Sequence, residues 1–141
     1  MSSQSNTQSG AIVLVAGEDL SAKAGYLAEI RNASGEAKAY LPDAITDLAF
    51  YVITDGGSAS GDNVTLQPLE PSRNHRVVLK STCVPGDQLV LADPSTAADK
   101  GKLRKIPVVA GSYRVLAIAE ESGVDGQLVR VRPAPVGVVT V

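Results

Sequence analysis

Short aliphatic segments recur about every ten residues along this chain, and Gly, Pro or Asp interrupts almost every interval between them. The segments are "AIVLV" (11–15), "GYLAEI" (25–30), "EAKAYL" (36–41), "AFYVIT" (49–54), "NVTLQ" (63–67), "RVVLK" (76–80), "DQLVLA" (87–92), "KLRKI" (102–106), "YRVLAIA" (113–119), "QLVRVR" (127–132) and "GVVTV" (137–141). Each is too short, and too rich in branched residues, to be read as a helix. Even spacing with turn signals predicts an all-β sandwich or barrel. Only "PDAITDLA" (42–49) and "PSTAADK" (94–100) have the composition for a helical turn.

One strand is written twice. "GDNVTLQP" at 61–68 and "GQLVRVRP" at 126–133 share Gly, an apolar pair two residues apart, and Pro. Strand alternation sends Val64 and Leu66, or Val129 and Val131, to one face. Thr65 and Gln67, or Arg130 and Arg132, face the other way. The echo extends further. Gly25, Gly35, Pro42, "AFYVIT", Gly61 and Pro68 align with Gly86, Gly101, Pro107, "VLAIA", Gly126 and Pro133. A Val/Leu-rich strand precedes each copy. The sequence therefore predicts a small β-barrel body, residues 11–141, built from two tandem half-repeats at about 25–68 and 86–133. Two copies are too few for a solenoid. Pro133 lacks an N–H, so its strand is expected to end there or to lie at an edge.

The first ten residues, "MSSQSNTQSG", are polar and uncharged. They have no basic n-region before an apolar core, so they do not read as a signal peptide. With nothing to bury, residues 1–10 are expected to form a flexible arm. The rest of the chain excludes several classes of partner. Net charge is −2, and the chain has no Trp, one Phe and four Tyr. That balance argues against a nucleic-acid footprint, which wants basic residues with interleaved aromatics. No run reaches the ~18 apolar residues of a membrane span.

The chain holds one His and one Cys, so a zinc site and an internal disulfide are not expected. His75, between Arg73 and Arg76, is expected to be an exposed strand-edge residue, and Cys83 a small buried hydrophobe. Their alternative roles are base and nucleophile, which would need an electropositive, partly open setting. "TDGGSASGDN" (54–63) lacks calcium-loop spacing and reads as a hairpin loop. Glu120, Glu121 and Asp125 flank a Gly-containing turn and read as a solvated loop rather than an acid–base pair. There is no phosphate-cradling Gly motif. Catalysis, metals and cofactors are therefore not expected.

The stretches "GDQLVLADPSTAADKGKLRKIP" and "YRVLAIAEESGVDGQLVRVRP" resemble the small phage capsid decoration, or cement, proteins. The likeness rests on Gly86, Asp87, Leu89, Val90 and Leu91, on Gly101, Lys102 and Leu103, on residues 117–120, and on Gly126, Val129 and Val131. Leu116 departs from the pattern, where a Gly is common. Similarity to lambda-type head decoration proteins implies a β-clip-like body that binds the outer surface of an expanded capsid. It implies the major capsid protein as partner, a homotrimer at three-fold positions, a virion location and no catalysis. It also gives the arm a role: Ser5, Asn6, Thr7 and Gln8, with Ile12 and Leu14 in the adjoining strand, would contact the capsid by adding a strand to it. Arg130 and Arg132 would then meet an acidic surface on a sister subunit or the capsid, while Thr65 and Gln67 face water. The alternative is a carbohydrate- or host-surface-binding module, for which the few aromatics offer a poor stacking platform.

Overall fold

A computed structural model describes residues 10–55 and 58–141. Ten strands form in chain order: β1 (Ile12–Ala16), β2 (Leu27–Ala33), β3 (Glu36–Tyr40), β4 (Tyr51–Ile53), β5 (Asn63–Pro68), β6 (His75–Val78), β7 (Gln88–Leu91), β8 (Leu103–Lys105), β9 (Ser112–Ala119) and β10 (Leu128–Thr140). β1 to β5 close into a barrel in the order β1-β3-β2-β4-β5, and β6 to β10 form a second sheet in the order β6-β10-β9-β7-β8. The body is thus nearly all β, with a small closed barrel, as the strand spacing predicts.

The two sheets follow one plan. β1 pairs with β3 in parallel and closes the barrel. In the second sheet, Leu79 just after β6 makes a parallel bridge to Leu103 of β8. Substituting β6 for β1, β7 for β2 and so on carries one strand order into the other. Register agrees as well. Tyr51, Val52 and Ile53 pair with Pro68, Gln67 and Leu66. Ala117, Ile118 and Ala119 pair with Pro133, Arg132 and Val131. "GDNVTLQP" and "GQLVRVRP" occupy the same place in their sheets, and each opening Gly donates its N–H across to the first strand of its own half, Gly61 to Ala16 and Gly126 to Leu79.

The apolar pairs of the echoed strands point inward. Val64, Leu66, Val129 and Val131 are fully buried. The first barrel encloses its own cluster, among it Leu20, Ala39, Ile53 and Leu66. The larger cluster joins the two sheets: Leu27, Ala49 and Val52 pack with Val77, Leu79, Leu89, Leu103, Leu116 and Val131. With almost no aromatics available, the core is filled by close interdigitation of branched aliphatics.

Several expectations need correction. Residues 42–49 form turns, not a helical turn, because the Asp47 carboxylate accepts the N–H groups of Asp43 and Ala44 at 2.9 and 3.1 Å. Short acidic side chains compete with a helix in this way. In 94–100 a single 3-10 turn does form, at Ala97–Asp99. The two strands expected at 127–132 and 137–141 are one long strand with an irregular register between Pro133 and Gly137. Beyond Val131 it has lost β6 and keeps β9 alone among the described residues, so Pro133 sits at an edge, where a missing N–H is tolerated. Of the Thr65/Gln67 face expected to meet water, Gln67 is covered and Thr65 stays partly exposed. Gln67 is 8% exposed and Thr65 half-buried, because the second sheet packs near this side of the barrel.

Two glycines form the seam between the sheets. Gly101 accepts the Leu27 N–H at 2.7 Å, and Gly25 accepts the Val78 N–H at 2.9 Å. A Cβ on Gly101, at φ +84°, would lie 2.7 Å from the Leu27 carbonyl oxygen, which is backbone and cannot step aside. Gly101→Ala should therefore cost roughly 2–4 kcal/mol, the left-handed strain plus the clash. Gly35→Ala, at φ +88° with open space around it, should carry only the strain, about 1–2 kcal/mol. Urea unfolding of both variants checks this, and equal losses would remove the seam's special role.

Candidate functional site

The acidic turn after β9 and the start of β10 make one charged face. Glu120 and Glu121 follow Ala119, which pairs with Val131, so the turn is held directly over the basic side of β10. Its far end is pinned by a bridge between Cys83 and Gly123 and by the Asp125 carboxylate, which accepts the Ser81 N–H at 2.8 Å. Alternation places Arg130 and Arg132 on this side because Val129 and Val131 are buried.

The two arginines meet acids of their own chain. Arg132 Nε donates to Glu120 Oε2 at 3.1 Å, and Arg130 Nε lies 3.7 Å from Glu120 Oε1. Glu121 Oε1 accepts from the Arg130 backbone N–H and from Arg76 Nη1, both at 2.9 Å. The Arg130 N–H first, and the Arg76 guanidinium after it, hold the Glu121 carboxyl below its ordinary range. Register explains why an acid is needed here. Arg130 stands directly opposite Arg76 on β6, and like charges in cross-strand positions repel. The loop acids, read from sequence as merely solvated, partly neutralise that pair.

The other singled-out residues are placed as follows. Ile12 and Leu14 are half-buried in β1, paired with Leu66 and Val64 of β5 and packed on the barrel cluster. β1 is thus a barrel strand. Its second edge, over 12–14, has no partner among the described residues, and Val13 points outward. Ser5, Asn6, Thr7 and Gln8 lie outside the described residues. Cys83 is buried as expected, its Sγ 3.5 Å from the Glu121 carbonyl. Burial pushes its thiol up, with nearby Asp87 adding to the effect, which is the opposite of nucleophile activation.

His75 overturns its expectation. It is 6% exposed, not an open edge residue, because β6 pairs with β10 and His75 lies against Val131. Its Nε2 accepts the Glu70 N–H at 3.4 Å. Burial first, then the Arg73 charge, holds its pKa below the ordinary value, so the ring is neutral near pH 7. Among the described residues no hydrogen bond links it to Cys83.

One cluster was not legible in the sequence. Carboxylate oxygens of Glu29, Asp43 and Asp47 converge within 4.8 Å of one another. They are separated in sequence and brought together by the β2–β3 hairpin and the turn after it, so no spacing motif announces them. Arg31 stands among them. Its Nε donates to Glu29 Oε1 at 2.6 Å, and Nη2 lies 3.4 Å from Asp43 and donates to the Leu41 carbonyl at 2.9 Å. A guanidinium already balances the charge that a cation would.

No family model and no curated protein matches this sequence. Among solved structures, the chain is similar to one described as the head fiber gp8.5 N base in bacteriophage phi29. Identity is 17%, the TM-score is 0.62, and the match covers 88% of this chain and 92% of that one. At that identity the likeness shows a shared fold.

Glu121 sets a pH dependence with a definite sign. Its carboxyl is held down in the folded chain. It therefore contributes stability at pH values above its unfolded pKa, and that contribution is lost as pH falls through its folded value. Thermal unfolding of the native chain and Glu121→Gln, run from pH 7 to pH 3, should give a gap that closes on acidification. A gap independent of pH would show that the Glu121 charge does not hold the turn.

Proposed function

We propose that this chain is a structural virion protein that binds the outer surface of a phage head and cements the expanded shell by bridging subunits of the major capsid protein. The observation that carries the reading is the fold. Its likeness to the base of a phage head fiber spans nearly the whole chain. The decoration-protein pattern over 86–133 points the same way from sequence. In this reading the chain works as a homotrimer at three-fold positions and performs no catalytic step.

Such a role asks little of side-chain chemistry and much of geometry. Each trimer bridges several capsid subunits, so modest contacts gain by multivalency. The arm, residues 2–10, would order on the lattice and add a strand to a capsid edge, continuing from β1, whose edge over Ile12–Leu14 has no partner among the described residues. Ordering costs about 1–2 kcal/mol per residue, so the arm must gain main-chain hydrogen bonds along its length. Arg130 and Arg132 would contribute at a subunit or capsid contact. Both keep part of their surface open while paired with Glu120, so a partner carboxylate would share them.

Co-sedimentation with heads assembled from the cognate major capsid protein tests the reading. The full chain should pellet with expanded heads and raise their melting temperature. Deletion of residues 2–10 should weaken binding at least tenfold. Undiminished binding would remove the arm from the contact, and failure of the full chain to pellet would sink the head-binding role itself. Arg130→Ala with Arg132→Ala should reduce either trimer formation, read by analytical ultracentrifugation, or head binding. If both stay at the native level, the arginine face is no interface.

A further inference from the structure

A second basic surface lies where the barrel meets the second sheet. A cleft of about 610 Å³ opens between β4 and β5 on one side and β6 and the start of β10 on the other. Its polar lining is Gln67, Arg73, Asn74, His75, Arg76 and Arg130, together with Thr54, and no carboxylate lines it. Three guanidinium groups therefore share one concavity, two of them from directly opposed strand positions. Two of the three are shared with acids of the β9–β10 turn: Arg76 donates to Glu121 at 2.9 Å, and Arg130 Nε lies 3.7 Å from Glu120. Arg73 has no ion pair among the described residues.

The floor of the cleft is polar. Gln67, 8% exposed, contributes its side chain there. His75 is buried beside it and uses Nε2 for the Glu70 N–H. A concave site with converging donors and one sign of charge is the physical description of an anion site. Guanidinium forks suit a carboxylate bidentately. No Phe, Tyr or Trp lines the cleft, so it lacks the broad aromatic platform on which bases and sugars stack.

From this geometry we infer that the cleft between the two sheets is a docking site for an acidic segment of a partner protein, with Arg73, Arg76 and Arg130 receiving its carboxylates and Gln67 completing the floor. Three arginines around a cleft of about 610 Å³ suit several carboxylates on one segment better than a single small ion. The inference concerns the isolated chain and does not depend on head binding, so the two fail separately.

The test is a titration of the ¹⁵N-labelled full chain with hexaglutamate, followed by NMR at the Gln67 side-chain amide and the Arg73 Nε–H. Saturable shifts at both, weakening as salt rises, are expected. Arg73→Ala should lower the affinity about tenfold, the loss of one charge-assisted contact, and it disturbs no ion pair of the fold. Gln67→Leu should weaken binding while the rest of the spectrum stays native. The proposal is overturned if hexaglutamate gives no saturable shift, if hexaglutamine shifts the same resonances equally, or if Arg73→Ala leaves affinity unchanged. Inorganic phosphate is the parallel arm: saturation of the same resonances at lower concentration than hexaglutamate would make this a free-phosphate site and overturn the peptide reading.

Discussion

Two backbone hydrogen bonds across the seam, Leu27 N–H to Gly101 and Val78 N–H to Gly25, let two small sheets share one core. Each half alone has few large side chains with which to exclude water. The main cluster becomes sizeable only because Leu27, Ala49 and Val52 of the barrel reach the leucines and valines of the second sheet. That contact requires main chain to approach main chain, and a side chain at Gly101 would collide with the Leu27 carbonyl. At Gly25 a Cβ would fall 2.3 Å from Leu128 Cδ2, a softer obstacle, but again with φ positive. The cleft between the sheets is held in place by this seam.

How much of this could be read from the sequence depends on the interaction involved. Strand positions are legible because they follow from local patterning. The inward face of the echoed strands is legible because alternation is strict, and Val129 and Val131 are buried accordingly. Burial that depends on the other half of the chain is not legible. Gln67 is a polar residue at a strand position that would be open in an isolated sheet, and the neighbouring sheet covers it, while His75 is covered where β6 pairs with the distant β10. The turn at 42–49 was misread for a related reason: the carboxylate of Asp47 satisfies two N–H groups locally, a choice invisible to apolar periodicity.

Charge pairing was the least legible feature. Arg76, Glu121 and Arg130 are far apart in sequence, and only the β6–β10 register sets two arginines face to face with a glutamate from the β9–β10 turn above them. Arg31 among Glu29, Asp43 and Asp47 is the same arrangement with the signs exchanged. In each case like charges gathered by the fold are answered by an opposite charge across a strand–turn junction: Glu121 of the turn in the first, Arg31 of β2 in the second. Such pairs are partly exposed, so their energetic value is modest. Their effect is to fix where the turns sit.

The difference between the echoed strands can now be stated physically. Gln67 and Arg132 hold equivalent register positions, one opposite Val52 and the other opposite Ile118. Arg132, half-buried, reaches Glu120 with Nε and the Pro71 carbonyl with Nη1. Gln67 is covered because β6 and β10 lie against its side of the barrel, and its neighbours in the cleft are arginines. A neutral amide is tolerated at that position, where a fourth guanidinium would be repelled by Arg73, Arg76 and Arg130. A carboxylate there would be attracted instead, and would pair with them and close the cleft to an outside acid. Glutamine does neither. With Arg76 and Arg130 already answered by Glu121 and Glu120, it leaves Arg73 as the cleft cation without an ion pair among the described residues, open to an acid from outside the chain.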